Sequence, residues 1–293
     1  MELINKKENI FGDDIAFVEQ YDFSTANMSE ENRIKAITAV ASICYQNPKA
    51  VGSESLYNRL LAESMGLPSS SFEMCPVLLD YTNPKHKEIL KLEYSNCKKF
   101  GERIDDRYLL TNYRALVYDY ENLKDEFSFD IRTIFNTPEE CEIIKQHFKV
   151  FKYNVDIVTR AQMVRHRVNW QELSRRYVSG KRVPFEFYVS EKMKEVKSRL
   201  NDAAEYDEYS TSMLIDACVK HYYEALEQGV KPEEARRIIP QGMQTIIWGA
   251  FQPRQLENFY KLRLEPKAQV EIREVAKAML ELETKGEYSG NSN

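Results

Sequence analysis

Short strand-like runs alternate with amphipathic runs of helix length along this chain, and that alternation restricts it to a mixed α/β architecture. Met243 to Phe251 is apolar enough for a buried strand; 15–22, 148–155 and 184–190 read as further strands, with another apolar stretch at 74–79. Residues 29–45 read as a helix opening at Ser29-Glu30-Glu31, with Ile34, Ile37, Val40 and Ala41 at helical spacing. A helix over 54–65 ends at Gly66, a C-cap residue. Thr137-Pro138-Glu139-Glu140 is a capping box with proline in the first turn. From about Asp156 a helix carries Ile157, Ala161, Val164 and Val168 on one face, and Gln162, Arg165, His166 and Asn169 on a polar one. Residues 191–228 read as one or two helices, Lys231-Pro232 opens another, and Pro253 to Leu262 is helical. Pro266 opens the last helix, with Ala268, Ile272, Val275, Met279 and Leu282 on one face. The tail from Lys285 to Asn293 is polar and expected to be disordered. With no internal repeat and no low-complexity linker, 1–284 is expected to be one domain.

Composition excludes several classes. At 293 residues with 43% hydrophobic and 30% charged content, the chain reads as a soluble globular protein. No apolar run approaches the ~20 residues that span a bilayer. The first eight residues lack a signal-peptide layout, so a cytoplasmic location is expected. Cys44, Cys75, Cys97, Cys141 and Cys218 form no C-x-x-C pair, which argues for reduced thiols and no metal site. A net charge of −5 argues against a dedicated nucleic-acid binder, and the lack of a long apolar run against a membrane partner. Yet residues 160–182 hold seven Lys or Arg against one Glu. A positive site in a negative chain suits a small anion better than a polymer.

That site centres on Arg165-His166-Arg167 and Glu172-Leu173-Ser174-Arg175-Arg176-Tyr177. Guanidinium forks match phosphate and carboxylate oxygens two at a time, where an ammonium is only a point charge. The bland alternative is a solvated helix face, with Glu172 pairing Arg175 or Arg176. Against it, 165–177 contains no lysine and interleaves its arginines with Trp170, Leu173 and Tyr177, which favour burial.

The same residues resemble the signature of the flavin-dependent thymidylate synthases (the ThyX family): Arg-His-Arg, about seven residues, then Ser-x-Arg-Tyr. Here six residues separate Arg167 from Ser174, one fewer than usual. Further matches follow in order: Gln162 three residues before Arg165, Glu234-Ala235-Arg236-Arg237-Ile238-Ile239-Pro240, Arg254 through Asn258 and Phe259 to Leu262-Arg263, and Ala268-Gln269-x-Glu271-Ile272. Departures occur too. In the family's His-x-Thr-Pro-Phe-Glu-His loop, Phe72 and Glu73 fit and a serine such as Ser70 replaces threonine, but Leu67 and Met74 stand near the missing histidines. Gln252 replaces an asparagine and Lys267 a histidine. Residues 81–147 look like an insertion, though Thr111-Asn112-Tyr113-Arg114-Ala115 echoes a family Asn-x-Arg element.

The resemblance implies an α+β fold with a central, mostly antiparallel sheet flanked by helices. It implies conversion of dUMP to dTMP, with methylenetetrahydrofolate as carbon donor and NADPH reducing a bound FAD, in a homotetramer whose active sites draw on more than one subunit. On this reading Gln162, Arg165, Glu172, Leu173, Ser174, Arg175, Arg176, Arg236 and Arg263 bind the nucleotide. Ser70, Glu73, Arg165, His166, Arg167, Gln252, Arg254, Asn258, Leu262 and Lys267 hold the flavin. Arg165, Ser174 and Arg263 are the catalytic candidates, with Ser174 orienting substrate rather than attacking it, because His166 lies eight residues away. Three other readings stay open: a single-stranded nucleic-acid binder using Trp170 and Tyr177 as stacking platforms, a nucleotide-binding relative without flavin, and a synthase using Cys75.

Overall fold

The computed structural model describes residues 1–12, 15–62, 68–199 and 208–289, the last five as backbone alone. Gly66 and Leu67 therefore lie outside the described residues. Five strands form the central sheet, every neighbouring pair antiparallel, in the order β1 (Glu2–Glu8), β2 (Phe17–Asp22), β6 (Lys149–Asp156), β10 (Gln244–Phe251) and β7 (Asn169–Glu172). Three more pair as β3 (Pro76–Asp80), β5 (Tyr108–Asn112) and β4 (Glu102–Ile104), and two as β8 (Lys197–Arg199) and β9 (Glu208–Ser210). The helices are α1 (Glu30–Tyr45), α2 (Glu54–Leu61), α3 (Pro84–Lys91), α4 (Asn96–Lys99), α5 (Tyr113–Leu123) and α6 (Pro138–His147). After the third strand of the central sheet come α7 (Ile157–Met163), α8 (Glu191–Lys194), α9 (Thr211–Glu227), α10 (Pro232–Ala235), α11 (Pro253–Arg263) and α12 (Val270–Ser289).

Period-two alternation divides the core into two layers. On β10, Trp248 and Ala250 point into one cluster with α1, α2, β3, β5 and α5, while Ile247 and Phe251 point into the other with α11 and α12. Ile272, Val275, Met279 and Leu282 are buried as the helical spacing requires. Residues 81–147 are an integral part of the first layer: Ile89, Leu110, Leu116 and Ile144 share a cluster with Ile37 and Val150. The capping box at Thr137 forms as the sequence predicts, with Glu140 Oε2 accepting from Thr137 N at 2.8 Å.

Several expectations are corrected. The helix from Asp156 stops at Met163 and does not carry the arginine cluster; 165–168 turn, and 169–172 become an edge strand. Pairing of Asn169 through Glu172 with Ala250 through Ile247 outweighs the helical periodicity. Residues 184–190 form no strand, only an isolated bridge of Phe187 to Met243. Pro184 lacks an amide donor, and Arg175 takes the carbonyls of Val183 and Pro184. Within 191–228, β8 and β9 separate a one-turn helix from α9. The last helix starts at Val270, not Pro266, because a turn closed by Ala268 N onto Glu265 O precedes it. It runs to Ser289, so 285–289 are helical rather than disordered.

Candidate functional site

Two clefts flank the α7–turn–β7 segment, one at the start of α7 and the end of β7, the other at the turn between them. Asp156 caps α7 by accepting from Thr159 N at 2.7 Å, and β7 is fixed by its ladder to β10. The first cleft, about 480 Å³, is lined by Glu172, Leu173, Ser174, Arg175 and Arg236, five of the residues predicted to hold the nucleotide, and by Arg160, Arg237 and Thr245. Glu172 Oε2 accepts from Arg160 Nε at 2.8 Å, and its Oε1 from Thr245 Oγ1 at 3.1 Å. Four arginines thus face a single carboxylate, a donor set suited to a phosphate dianion.

Arg175 behaves unlike its neighbours. It is 7% exposed and donates from Nη1 and Nη2 to the Val183 and Pro184 carbonyls at 2.5 and 3.2 Å, while its Nε has no partner. Burial lowers its pKa. Arg176 is exposed, pairs with Glu233 at 2.9 Å and lines neither cleft. Arg236 is exposed and holds only the Glu233 carbonyl, at 3.3 Å. Among the described residues no side-chain base hydrogen-bonds the Ser174 hydroxyl.

The second cleft, about 390 Å³, gathers Arg165, His166, Arg167, Arg254, Asn258, Leu262 and Arg263 with no carboxylate in its lining. Arg263 donates from Nε to His166 Nε2 at 2.8 Å and from Nη2 to the Gln162 carbonyl at 2.9 Å. Burial first, then the Arg263 charge, lowers the His166 pKa to about 4. His166 is therefore a neutral imidazole near pH 7, with its proton on Nδ1 because Nε2 accepts. Arg263 itself is lowered by burial and then by Arg165. Neither Arg165 nor Arg167 has a carboxylate partner among the described residues. Such uncompensated guanidiniums are what a polyanion would neutralise.

A third and larger cleft, about 870 Å³, adjoins the second and shares Arg167, Val168, Arg254 and Gln255 with it. Glu73 and Gln252, predicted flavin contacts, line it, as do Asn112 and Arg114. Glu73 pairs with Arg114, and Gln252 donates to the Phe100 carbonyl at 3.0 Å. Ser70 sits beneath β7, bonded to Gln171 at 2.6 Å and to Asn169. The Gln162 amide lies outside these clefts and bonds Gln269 at 2.6 Å; Lys267 is exposed and lines none of them. The chain thus separates Arg165 and Arg263 from Ser174 rather than joining the three catalytic candidates.

Sequence reasoning missed Arg160, Arg237, Thr245, Lys99 and Glu102. Arg237 and Thr245 adjoin elements already singled out, and Arg160 precedes the cluster by one helical turn, so proximity to the motif was the available signal. Cys75 is fully buried with its thiol pushed up to about 12, first by desolvation, which removes the cysteine-dependent reading. No described helix is long and apolar enough to cross a membrane.

Flavin-dependent thymidylate synthases of Pyrococcus abyssi, Aquifex aeolicus and Thermus thermophilus are 34%, 33% and 36% identical to this chain over 146, 216 and 142 residues. These alignments cover 48%, 70% and 45% of this chain and 56%, 66% and 52% of the relatives, so most span about half the relative's length. A UMP/dUMP methylase, PolB of Streptomyces cacaoi, has a TM-score of 0.38 at 17% identity over 58% of this chain and 83% of its own, too loose a likeness to carry a functional argument. The sequence pattern of the family described as thymidylate synthase complementing protein matches residues 139–285, half of the chain, and every residue lining the two arginine-rich clefts falls within that span. The chain belongs to the thymidylate synthase complementing protein family, that of the ThyX enzymes.

Proposed function

We propose that this chain is a flavin-dependent thymidylate synthase that methylates dUMP to dTMP, taking its carbon from methylenetetrahydrofolate and its reducing equivalents from NADPH through FAD. The observation that carries the reading is the pair of arginine-lined clefts, one at the start of α7 and the end of β7 and the other at the turn between them, within the family-matched residues. The Ser174 cleft receives the nucleotide. Arg236 and Arg237, which line that cleft, engage its phosphate, while Glu172, held by Arg160 and Thr245, and Ser174 orient the sugar and base. Arg175 positions this loop through Val183 and Pro184.

The Arg165 cleft fits the flavin: four guanidiniums without a lining carboxylate suit its diphosphate, and neutral His166 adds no further charge. When bound, the flavin supplies the hydride. Arg165, without a carboxylate partner, stabilises negative charge developing on the uracil, and Arg263 holds His166 and the Gln162 carbonyl in place. Since one chain keeps Arg165 and Ser174 in separate clefts, a complete site takes one cleft from each of two chains in a homotetramer. Supporting this, α9 buries only Tyr222 and exposes Met213 and Leu214. Of the 81–147 stretch expected to be an insertion, 139–147 falls within the matched span; we read the remainder, 81–138, as an addition to the family core, and the enzyme as cytoplasmic.

The test is product formation. Purified protein given dUMP, FAD, NADPH and methylenetetrahydrofolate is expected to yield dTMP, and omission of any one is expected to abolish it. Retained turnover without flavin, or no dTMP from the complete mixture, contradicts the proposal.

A further inference from the structure

The 870 Å³ cleft lies at the upper end of the range for ligand pockets, about 300–1,000 Å³. One wall belongs to the family-matched residues Arg167, Asn169, Gln252 and Arg254; the other comes from 96–118, ahead of that span. This second wall is fixed in place. Fully buried Asp119 accepts from Asn96 N and Nδ2 at 2.6 and 2.9 Å and from Cys97 N at 3.0 Å. A Cβ on Gly101 would collide with the Cys97 carbonyl and lie 3.0 Å from that of Leu110, so glycine lets the wall pack closely. Gln252 ties it to the start of α11 through the Phe100 carbonyl at 3.0 Å.

The charges on this wall are selective. Both lining carboxylates are engaged, Glu73 by Arg114 and Glu102 by Arg254, whose backbone N donates to it at 3.1 Å. Lys99 is left with no carboxylate partner among the described residues; its ammonium lies 5.3 Å from the ring of Phe100, which is 53% exposed. A free cation beside an exposed aromatic face suits a phosphate attached to a stacking base. The cleft adjoins the Arg165 cleft and shares Arg167 and Arg254 with it, which leaves room for a ligand longer than a mononucleotide.

Resting on the flavin reading of the Arg165 cleft, we propose that the 96–118 wall receives the adenylate half of the dinucleotide, with Lys99 contacting phosphate and Phe100 offering the stacking surface. The experiment is titration of the full-length apoprotein with FAD and with FMN, which lacks the adenylate half, followed by flavin fluorescence. Lys99→Ala is expected to weaken FAD binding about tenfold and leave FMN binding unchanged, with Lys99→Arg restoring FAD affinity. Phe100→Ala, at a second exposed side chain, is expected to give the same FAD-selective loss. Equal losses for FAD and FMN, or no loss for FAD in either alanine variant, overturn the proposal while leaving the flavin reading intact. A wild-type protein that binds neither flavin overturns both.

Discussion

His166 couples the Arg165 cleft to pH. Its folded pKa of about 4 lies below the ordinary histidine value of about 6.5, so the unfolded chain takes up the proton first as pH falls. Stability is therefore lost from about pH 6.5 downward, and the loss levels off below about pH 4. Denaturant titrations at neutral and mildly acidic pH are expected to show a shallower fall for His166→Gln than for wild type; identical falls would contradict the assignment. Arg175 and Arg176, adjacent in sequence, are expected to separate cleanly. Arg175→Ala orphans two carbonyl acceptors in a buried setting and is expected to cost about 2–4 kcal/mol of stability, read from the denaturation midpoint. Arg176→Ala, which removes only an exposed ion pair with Glu233, is expected to leave the midpoint unchanged, whereas Arg236→Ala in the cleft is expected to weaken dUMP binding about tenfold by isothermal titration. The residue types of both arginines were legible in the motif. Which one the core would claim was not, because that depends on where the 183–184 carbonyls fall in space.

At the scale of elements, the capping box at Thr137, the buried strand β10 and the apolar stripe of α12 could be read directly, since each rests on local spacing. The truncation of α7 could not. Val164 and Val168 fit a helical face, and only the free edge of β10 explains why 169–172 leave it. Residues 81–147 were opaque because their short strands complete a second sheet whose partner, β3, lies upstream. Gly249 tests the packing of the edge that carries the site. A Cβ there would lie 2.5 Å from Trp170 Cζ3 and 3.0 Å from Phe251 Cε2. Gly249→Ala is expected to destabilise the fold by about 1–3 kcal/mol, measured by chemical denaturation. A neutral outcome would mean that β7 can move away from β10.

For the whole molecule, the central sheet separates two apolar layers and leaves the clefts at either end of one turn-strand segment. The composition of each cleft was largely legible, because the motif supplies its arginines in order. Their separation was not, because sequence order carries no distance. Sedimentation is expected to show an assembly of four chains of 34.4 kDa; a stable monomer would contradict a site shared between chains. The most direct measurement of the central claim is the visible absorption of the purified protein with FAD, followed during titration with dUMP. Oxidised-flavin bands near ~450 nm that shift as dUMP saturates are expected for adjacent flavin and nucleotide sites. A protein that retains no flavin, or one whose bands ignore dUMP, would contradict it.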